Sequence, residues 1–236
     1  MKFTPPLLEG VLLRRHRRFL ADVRLTDGTL VTAHTANTGA MTGCARPGSR
    51  VWLQHSGKPQ RKYPLTWVLV EVAPGVLAGI DTLRANHLVR EAVAAGRIET
   101  LRGYPHLRAE AAYGAGRSRI DLLLEGAERS RCLVEVKNVT LVREGIAYFP
   151  DAVSARGSRQ LRELADRVRS GERAVVLFCI QRPDARELRP ADDIDPAYGH
   201  ALREALAAGV EALAYDCHVD LQGIRLRRRL PVVCPL

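Results

Sequence analysis

The chain reads as an α/β protein in two parts. Residues 1–80 predict a five-stranded β-barrel, and residues 81–236 predict an α/β domain with a mixed central sheet. Three observations lead there. The first third consists of short apolar runs between glycine-rich turns, without helical spacing. From residue 82 onward the runs follow the order helix, strand, strand, strand, helix, strand. At 236 residues the chain is long enough for one large domain or two small ones with packed cores.

Leu7 to Leu25 reads as two strands, LLEGVLLRR and RFLADVRL, closed by the turn signal Thr26-Asp27-Gly28. Thr29–His34 is a third strand. Asn37-Thr38-Gly39, Gly43 and Pro47-Gly48 then form a turn-rich stretch. Val51-Trp52-Leu53 and Leu65–Val70 supply two more strands. Short strands, tight turns and high charge suggest a partly closed barrel of OB type, a fold that commonly binds single-stranded nucleic acid. Arg14, Arg15, Arg17, Arg18, Arg61 and Lys62 are the candidate nucleic-acid contacts, with Phe19 and Tyr63 as aromatic neighbours. Trp52 and Trp67 lie in apolar runs and are expected to pack, not both to stack on bases. In the Asn37-Thr38-Gly39 loop, Asn and Gly permit positive φ, so its amides could cradle an anion; a plain tight turn is the simpler reading. His34 is expected to be structural.

Pro74-Gly75 marks the expected joint between the two parts. Thr82 to Ala95 has helical spacing, with Leu83, Leu88, Val89 and Val93 on one stripe and Gly96 as its stop. A strand around His106–Tyr113 contains Glu110, and two further strands occupy Arg117 to Val142. Asp151 is placed to cap the following segment. Gly157–Ser170 is an amphipathic helix stopped by Gly171, and Arg156 and Gln160 would reach phosphate if that helix borders the site. Ala174–Ile180 is a continuous apolar strand, the kind buried on both faces. Pro196–Ala208 is a helix stopped by Gly209, and Ala212–Asp216 is the last core strand.

The chemistry concentrates in the two strands between Arg117 and Val142. Asp121 interrupts the apolar run Ile120–Leu124, and Glu135 and Lys137 share one face of Cys132–Lys137. Charge on an apolar strand needs a reason, since burying it unpaired is costly. One reading is a structural ion pair or a solvated face. The other is the metal site of a PD-(D/E)xK nuclease. There, Asp121, Glu135 and the Val136 carbonyl hold Mg²⁺ or Mn²⁺, and Lys137 handles the water or the phosphate. Glu91 on the preceding helix would reach the metal through water. The pattern D-x13-E-x-K is short enough to arise by chance. Composition favours the chemical reading: of 36 basic residues only Lys2, Lys58, Lys62 and Lys137 are lysines, so lysine here is not general charge decoration. The element order from residue 82 is also the core order of that nuclease fold.

The net charge is +10, split as +7 over residues 1–80 and +3 over 81–236, so an anionic partner is expected on the barrel. DNA fits, with RNA as the alternative. A membrane does not, because the basic residues do not alternate with a wide apolar helical face. No apolar run approaches a membrane span, and no leader follows Met1. Five scattered cysteines without a CxxC point to free thiols in the cytoplasm and to no zinc cluster. The oligomeric state stays open, a homodimer included.

The stretches GVLLRRHRRFLADVRL, TAHTANTGAM, KYPLTWVLVEV, ANHLVREAVAAGRI, SRIDLLL, VEVKNVTLV, YFPDAVSARG, LFCIQR and IDPAYG occur in this order across nearly the whole chain. They resemble the sugar fermentation stimulation protein A family. The resemblance implies an OB-like N-terminal domain, a nuclease-like C-terminal domain and DNA binding. It also implies a role as a regulator of maltose or sugar-fermentation genes. Two departures stand out. Ala36 and Ala40 occupy the Pro and Ser positions of the family's H-x-PNTGSM, and RGSRQLREL replaces RGxKHLxEL. Neither touches Asp121, Glu135 or Lys137. Three functions therefore compete: a metal-dependent nuclease with a DNA-binding barrel, a DNA-binding transcriptional regulator without catalysis, and a nuclease fold that has lost its activity, with Asp121 and Glu135 as a structural pair. After Gly209 the chain runs Val-Glu-Ala-Leu-Ala-Tyr, which suits a core strand and not a recognition helix, so the nuclease reading is preferred.

Overall fold

The computed structural model describes residues 1–58, 60–113, 119–127 and 129–235, so Arg117 and Ser118 at the head of the motif stretch lie outside the described residues. The barrel forms from β1 (Leu8–His16), β2 (Leu20–Leu25), β3 (Leu30–His34), β4 (Arg50–His55), β5 (Leu65–Ala73) and β6 (Val76–Gly79). The order is β3-β2-β1-β4-β5-β6, and the pairing of His34 with Thr66 closes β3 onto β5. Alternation in these strands drives closure: Leu12, Val23, Ala33, Val51, Leu53, Trp67 and Val70 all face one apolar interior. Trp67 is fully buried and its Nε1–H donates to the Leu69 carbonyl at 2.8 Å, which satisfies its one polar atom. Trp52 is buried too, against the second domain's core, so both tryptophans pack as expected.

Two sequence expectations need correction here. Pro74-Gly75 is not a joint; it is the β5–β6 hairpin turn, with Gly75 at φ 74°, and β6 is an extra barrel strand. The chain's first residues do not belong to the barrel sheet. Lys2 bridges to Gly223 and the Phe3 amide donates to Gln222, so they pack on the second domain.

That domain contains α1 (Thr82–Ala94), β7 (His106–Ala112), β8 (Arg119–Gly126), β9 (Arg129–Val139), β10 (Leu141–Arg143), β11 (Ile146–Phe149) and α2 (Ala155–Arg169). It continues with β12 (Arg173–Ile180), β13 (Glu187–Pro190), α3 (Pro196–Ala207), β14 (Glu211–Val219) and β15 (Ile224–Leu230). Its main sheet has the order β15-β14-β12-β9-β8-β7, in which β9, β12 and β14 run parallel and the outer strands antiparallel. The sheet is therefore mixed, as read. β10, β11 and β13 form a separate small sheet, and β15 extends the main one; both were invisible as strands in the sequence. β15 carries the basic run Ile224–Leu230, whose alternating exposure marks an edge strand.

Each face of the main sheet is covered by helix. Val134, Val136, Val175 and Leu177 pack with Leu88 and Val89 of α1, while Leu133, Val176 and Phe178 pack with Leu161 of α2 and Leu202 of α3. The buried side of α1 is Ala85, Leu88, Val89 and Ala92; Leu83, assigned to that stripe from the sequence, is 68% exposed. Asp81, Ser154 and Asp195 cap α1, α2 and α3 by accepting from amides two or three residues on. Gly96 and Gly209 end α1 and α3 at φ 65° and 98°, the left-handed position that a side chain disfavours.

Candidate active site

The site lies where β8 and β9 part. Their ladder pairs Leu124 with Cys132, Leu123 with Leu133 and Leu122 with Val134, the last described pair before Asp121. Two residues beyond Val134, the Val136 amide donates to the Asp121 side chain (Oδ2, 2.7 Å) in place of a strand carbonyl. A residue's N–H and C=O leave a strand on the same side. The Val136 carbonyl therefore also faces the gap that Asp121 spans. On the partner strand Glu110, at the register position opposite Asp121, adopts φ 50°, a strained value for a residue with a side chain.

Glu135 and Lys137 point from β9 toward α2. Lys137 Nζ donates to Glu135 Oε1 and to Gln160 Oε1, each at 2.8 Å, and Gln160 Nε2 donates to Glu135 Oε1 at 2.5 Å. Glu135 and Lys137 are both buried, at 5% and 9% exposure. On the other side of the gap, Asn86 of α1 donates to Asp121 Oδ1 at 2.7 Å. Burial pushes the Asp121 carboxyl above the ordinary carboxylate range, opposed by the Val136 amide and by Lys137 and reinforced by Glu110. Burial raises Glu135 as well, with Lys137 opposing and the Asp121 charge adding to the rise.

Asp121, Glu135, Val136 and Lys137 line one cavity of about 420 Å³. Its second wall comes from the barrel: Ala36, Asn37, Thr38 and Gly39 face the carboxylates across it. Arg156 and Gln160 of α2 complete the rim, as the sequence suggested if that helix bordered the site. A contiguous pocket holds Glu110, Asp121, Arg119, Arg156 and Arg159.

The cavity offers oxygen donors, the Asp121 and Glu135 carboxylates with the Val136 backbone beside them, and oxygen donors suit a hard cation such as Mg²⁺, Mn²⁺ or Ca²⁺. Among the described residues no cluster of three or more His, Cys, Asp or Glu side chains forms a closed metal cage. Any cation here therefore keeps positions for water or phosphate oxygens. Two carboxylates desolvated beside one lysine leave the cavity short of positive charge.

Several assignments made from the sequence change. Glu91 does not reach the cleft; it pairs with the Met1 amine at 3.2 Å and with Arg97, in another concavity. The cause is helical periodicity: five residues after Asn86, Glu91 is turned about 140° away. The α1 residue that meets Asp121 is Asn86, which the sequence reading passed over. Asp151 caps nothing; its Oδ2 accepts from the Met41 amide at 3.0 Å, and Ser154 is the cap. The Asn37-Thr38-Gly39 loop is a side-chain-closed turn, since Gly39 N–H donates to Asn37 Oδ1 at 2.9 Å, and neither Asn37 nor Gly39 takes the positive φ of a nest. His34 packs near the Phe19 ring at 6.2 Å.

The basic candidates divide. Arg14 forms an ion pair with Asp22 at 2.7 Å. Arg15 is half-buried and donates to the carbonyls of Arg18, Asn37 and Gly39, so it builds structure. Arg17, Arg18, Arg61 and Lys62 are exposed.

Comparison with known proteins agrees with this architecture. The model of the SfsA N-terminal OB domain matches residues 13–80, and that of the sugar fermentation stimulation protein RE domain matches residues 83–223. A sugar fermentation stimulation protein homolog from Geobacter sp. (strain M21) is 58% identical over 233 residues, covering 99% of this chain and 100% of the relative. One from Thioalkalivibrio sulfidiphilus is 58% identical, covering 98% of each. The structure of Pyrococcus furiosus SfsA in complex with Ca²⁺ superposes with a TM-score of 0.89 at 30% identity, covering 99% of this chain and 98% of that one.

Proposed function

The chain belongs to the sugar fermentation stimulation protein family, and we propose that it is a divalent-metal-dependent nuclease. It binds DNA, or RNA, and hydrolyses phosphodiester bonds in the cleft between Asp121, Glu135 and Lys137. One observation supports this reading: where β8 leaves β9, Asp121 takes up the Val136 amide, and Asp121, Glu135 and Val136 line one cavity beside a buried lysine. A regulator that only docks on DNA has no use for desolvated carboxylates at the floor of a cleft. The Ca²⁺ complex of the Pyrococcus furiosus relative supports a divalent site in this fold.

Asp121, Glu135 and the Val136 carbonyl would hold the ion. A bound Mg²⁺ or Mn²⁺ supplies charge stabilisation for phosphate oxygens and makes water more acidic. Asn86 orients Asp121 through its amide hydrogen bond. Lys137, steadied by Glu135 and Gln160, places a positive charge where the scissile phosphate gains negative charge, and it can hold the attacking water. Arg156 at the rim neutralises a neighbouring phosphate.

Metal binding tests the site apart from turnover. Ca²⁺ at a hundredfold excess over its Kd should add about 2.7 kcal/mol of stability. In a domain of this size that raises Tm by roughly 5–10 °C, and chelator should reverse it. Glu135→Gln should cancel the rise. A Tm indifferent to Ca²⁺ in the parent chain would count against the site.

The partner is tested by salt. Each phosphate neutralised should contribute about −0.7 to −0.9 to the slope of log K against log salt. Arg17→Ala and Arg18→Ala should each make that slope shallower by about one contact. Substitutions in the α/β domain's outer edge, such as Arg225→Ala on β15, should leave it unchanged; the reverse pattern would move the docking surface off the barrel.

A further inference from the structure

The β1–β2 connection places arginine where hairpins favour Asn-Gly. Arg17 and Arg18 sit at φ 50° and 64°, left-handed values that a residue with a side chain disfavours. Strain of this kind is retained where the surroundings impose it, and here one group does so. Arg15 Nη2 donates to the Arg18 carbonyl at the strained tip, and also to the Asn37 and Gly39 carbonyls at 3.0 and 2.9 Å. Tip and cleft loop therefore touch through a single guanidinium.

The loop is fixed from three further sides. Asn37 is buried, Thr82 of α1 donates to the Ala36 carbonyl at 3.3 Å, and Asp151 holds the Met41 amide. A Cβ on Gly39 would come within 2.9 Å of both Asp151 oxygens, so the loop packs closely against Asp151 at this position. Thr38 is exposed at the cleft edge, and Ala40 is exposed two residues on.

From these contacts we infer that the Arg17–Arg18 tip and the Thr38–Ala40 loop form one continuous track that leads a single nucleic-acid strand into the cleft. Arg15 is the positioning residue that joins them. The inference rests on the nuclease reading of the cleft and specifies its substrate. Phe19, 41% exposed beside the tip, offers a face on which an unstacked base can rest. A cavity of about 420 Å³ with walls from both domains is of a size to take a nucleotide, and a base can enter it only when unstacked from its neighbours.

Hydrogen exchange on the full chain in Ca²⁺ tests the track without requiring turnover. A single-stranded oligothymidylate should slow exchange at the amides of residues 17–19 and 38–40 together. A blunt duplex of equal length should protect the tip alone. Protection confined to the Arg61–Tyr63 side, absent from the loop, or equal for duplex and single strand would overturn the inference. Arg15→Lys supplies a second measurement, because lysine keeps the charge and loses the planar fork that spans four carbonyls. Cleavage should fall at least tenfold while Kd for the oligonucleotide and the salt slope stay at parental values. A drop in affinity with a shallower slope would make Arg15 a phosphate contact and end its positioning role. Failure of the parent to cleave any substrate would instead refute the proposed function, with the exchange pattern still deciding the track.

Discussion

Replacing Glu135 by glutamine is expected to reduce metal-dependent cleavage by at least about 10²–10³-fold, the scale of losing one charge-stabilising element of a transition state, while the fold persists. The glutamine carbonyl can still accept from Lys137 and Gln160, and removing a charge that burial already disfavours relieves the metal-free protein. Nucleic-acid affinity should stay the same or rise slightly. Lys137→Ala behaves differently. It leaves Glu135 buried without its cation, which costs roughly 3–5 kcal/mol, and it ends cleavage while metal still binds. Divalent metal should then restore much of the lost Tm, by supplying the missing positive charge. A purely structural Glu135–Lys137 pair makes the opposite forecast: Glu135→Gln destabilises by leaving Lys137 buried and unbalanced, and metal changes neither variant. Melting curves with and without Ca²⁺, set beside cleavage rates, separate the two.

Phe178→Ala should lower stability by about 3–5 kcal/mol, as expected for emptying a large aromatic site, and Tm by roughly 6–20 °C. Phe178 is fully buried on β12, directly beside Lys137 in the register of β9. Its ring packs edge-on against Phe149 at 5.6 Å, and Phe149 in turn packs on Tyr198 and lines the cleft. The substitution therefore empties the layer under the site. Cleavage measured well below the new Tm should fall too, with Phe178→Leu restoring most of both. A Phe178→Ala chain that melts within 2–4 °C of the parent, the shift of about 1 kcal/mol, would contradict this packing.

The central elements were legible because their signals are local. Period-2 alternation announces β1 to β5, the unbroken Ala174–Ile180 run announces β12, and glycines after Ala94 and Ala207 mark helix ends. Asp121, Glu135 and Lys137 could be singled out because charge in apolar strands is rare. What escaped depends on distance in the chain. β10, β11 and β13 are strands of three or four residues, too short for a period to register. Pro74-Gly75 reads equally well as a linker or a hairpin turn, and only the β5–β6 ladder decides. Asn86 and Glu91 share a helix, and nothing in their spacing tells which turns toward β8. Arg15 looked like its basic neighbours until its four carbonyl acceptors, three of them more than twenty residues away, showed it to be a clamp.

The central claim is that Asp121, Glu135 and Lys137 form a metal-dependent hydrolytic centre. The most direct measurement is the cleavage of an end-labelled single-stranded oligonucleotide by the purified chain in Mn²⁺, beside Asp121→Asn and beside chelator. The account predicts products with the parent chain in Mn²⁺ alone, none in chelator and none from Asp121→Asn, although that variant remains folded and still binds the strand. Products formed equally by Asp121→Asn, or none from a folded parent that binds the strand and the metal, would contradict it.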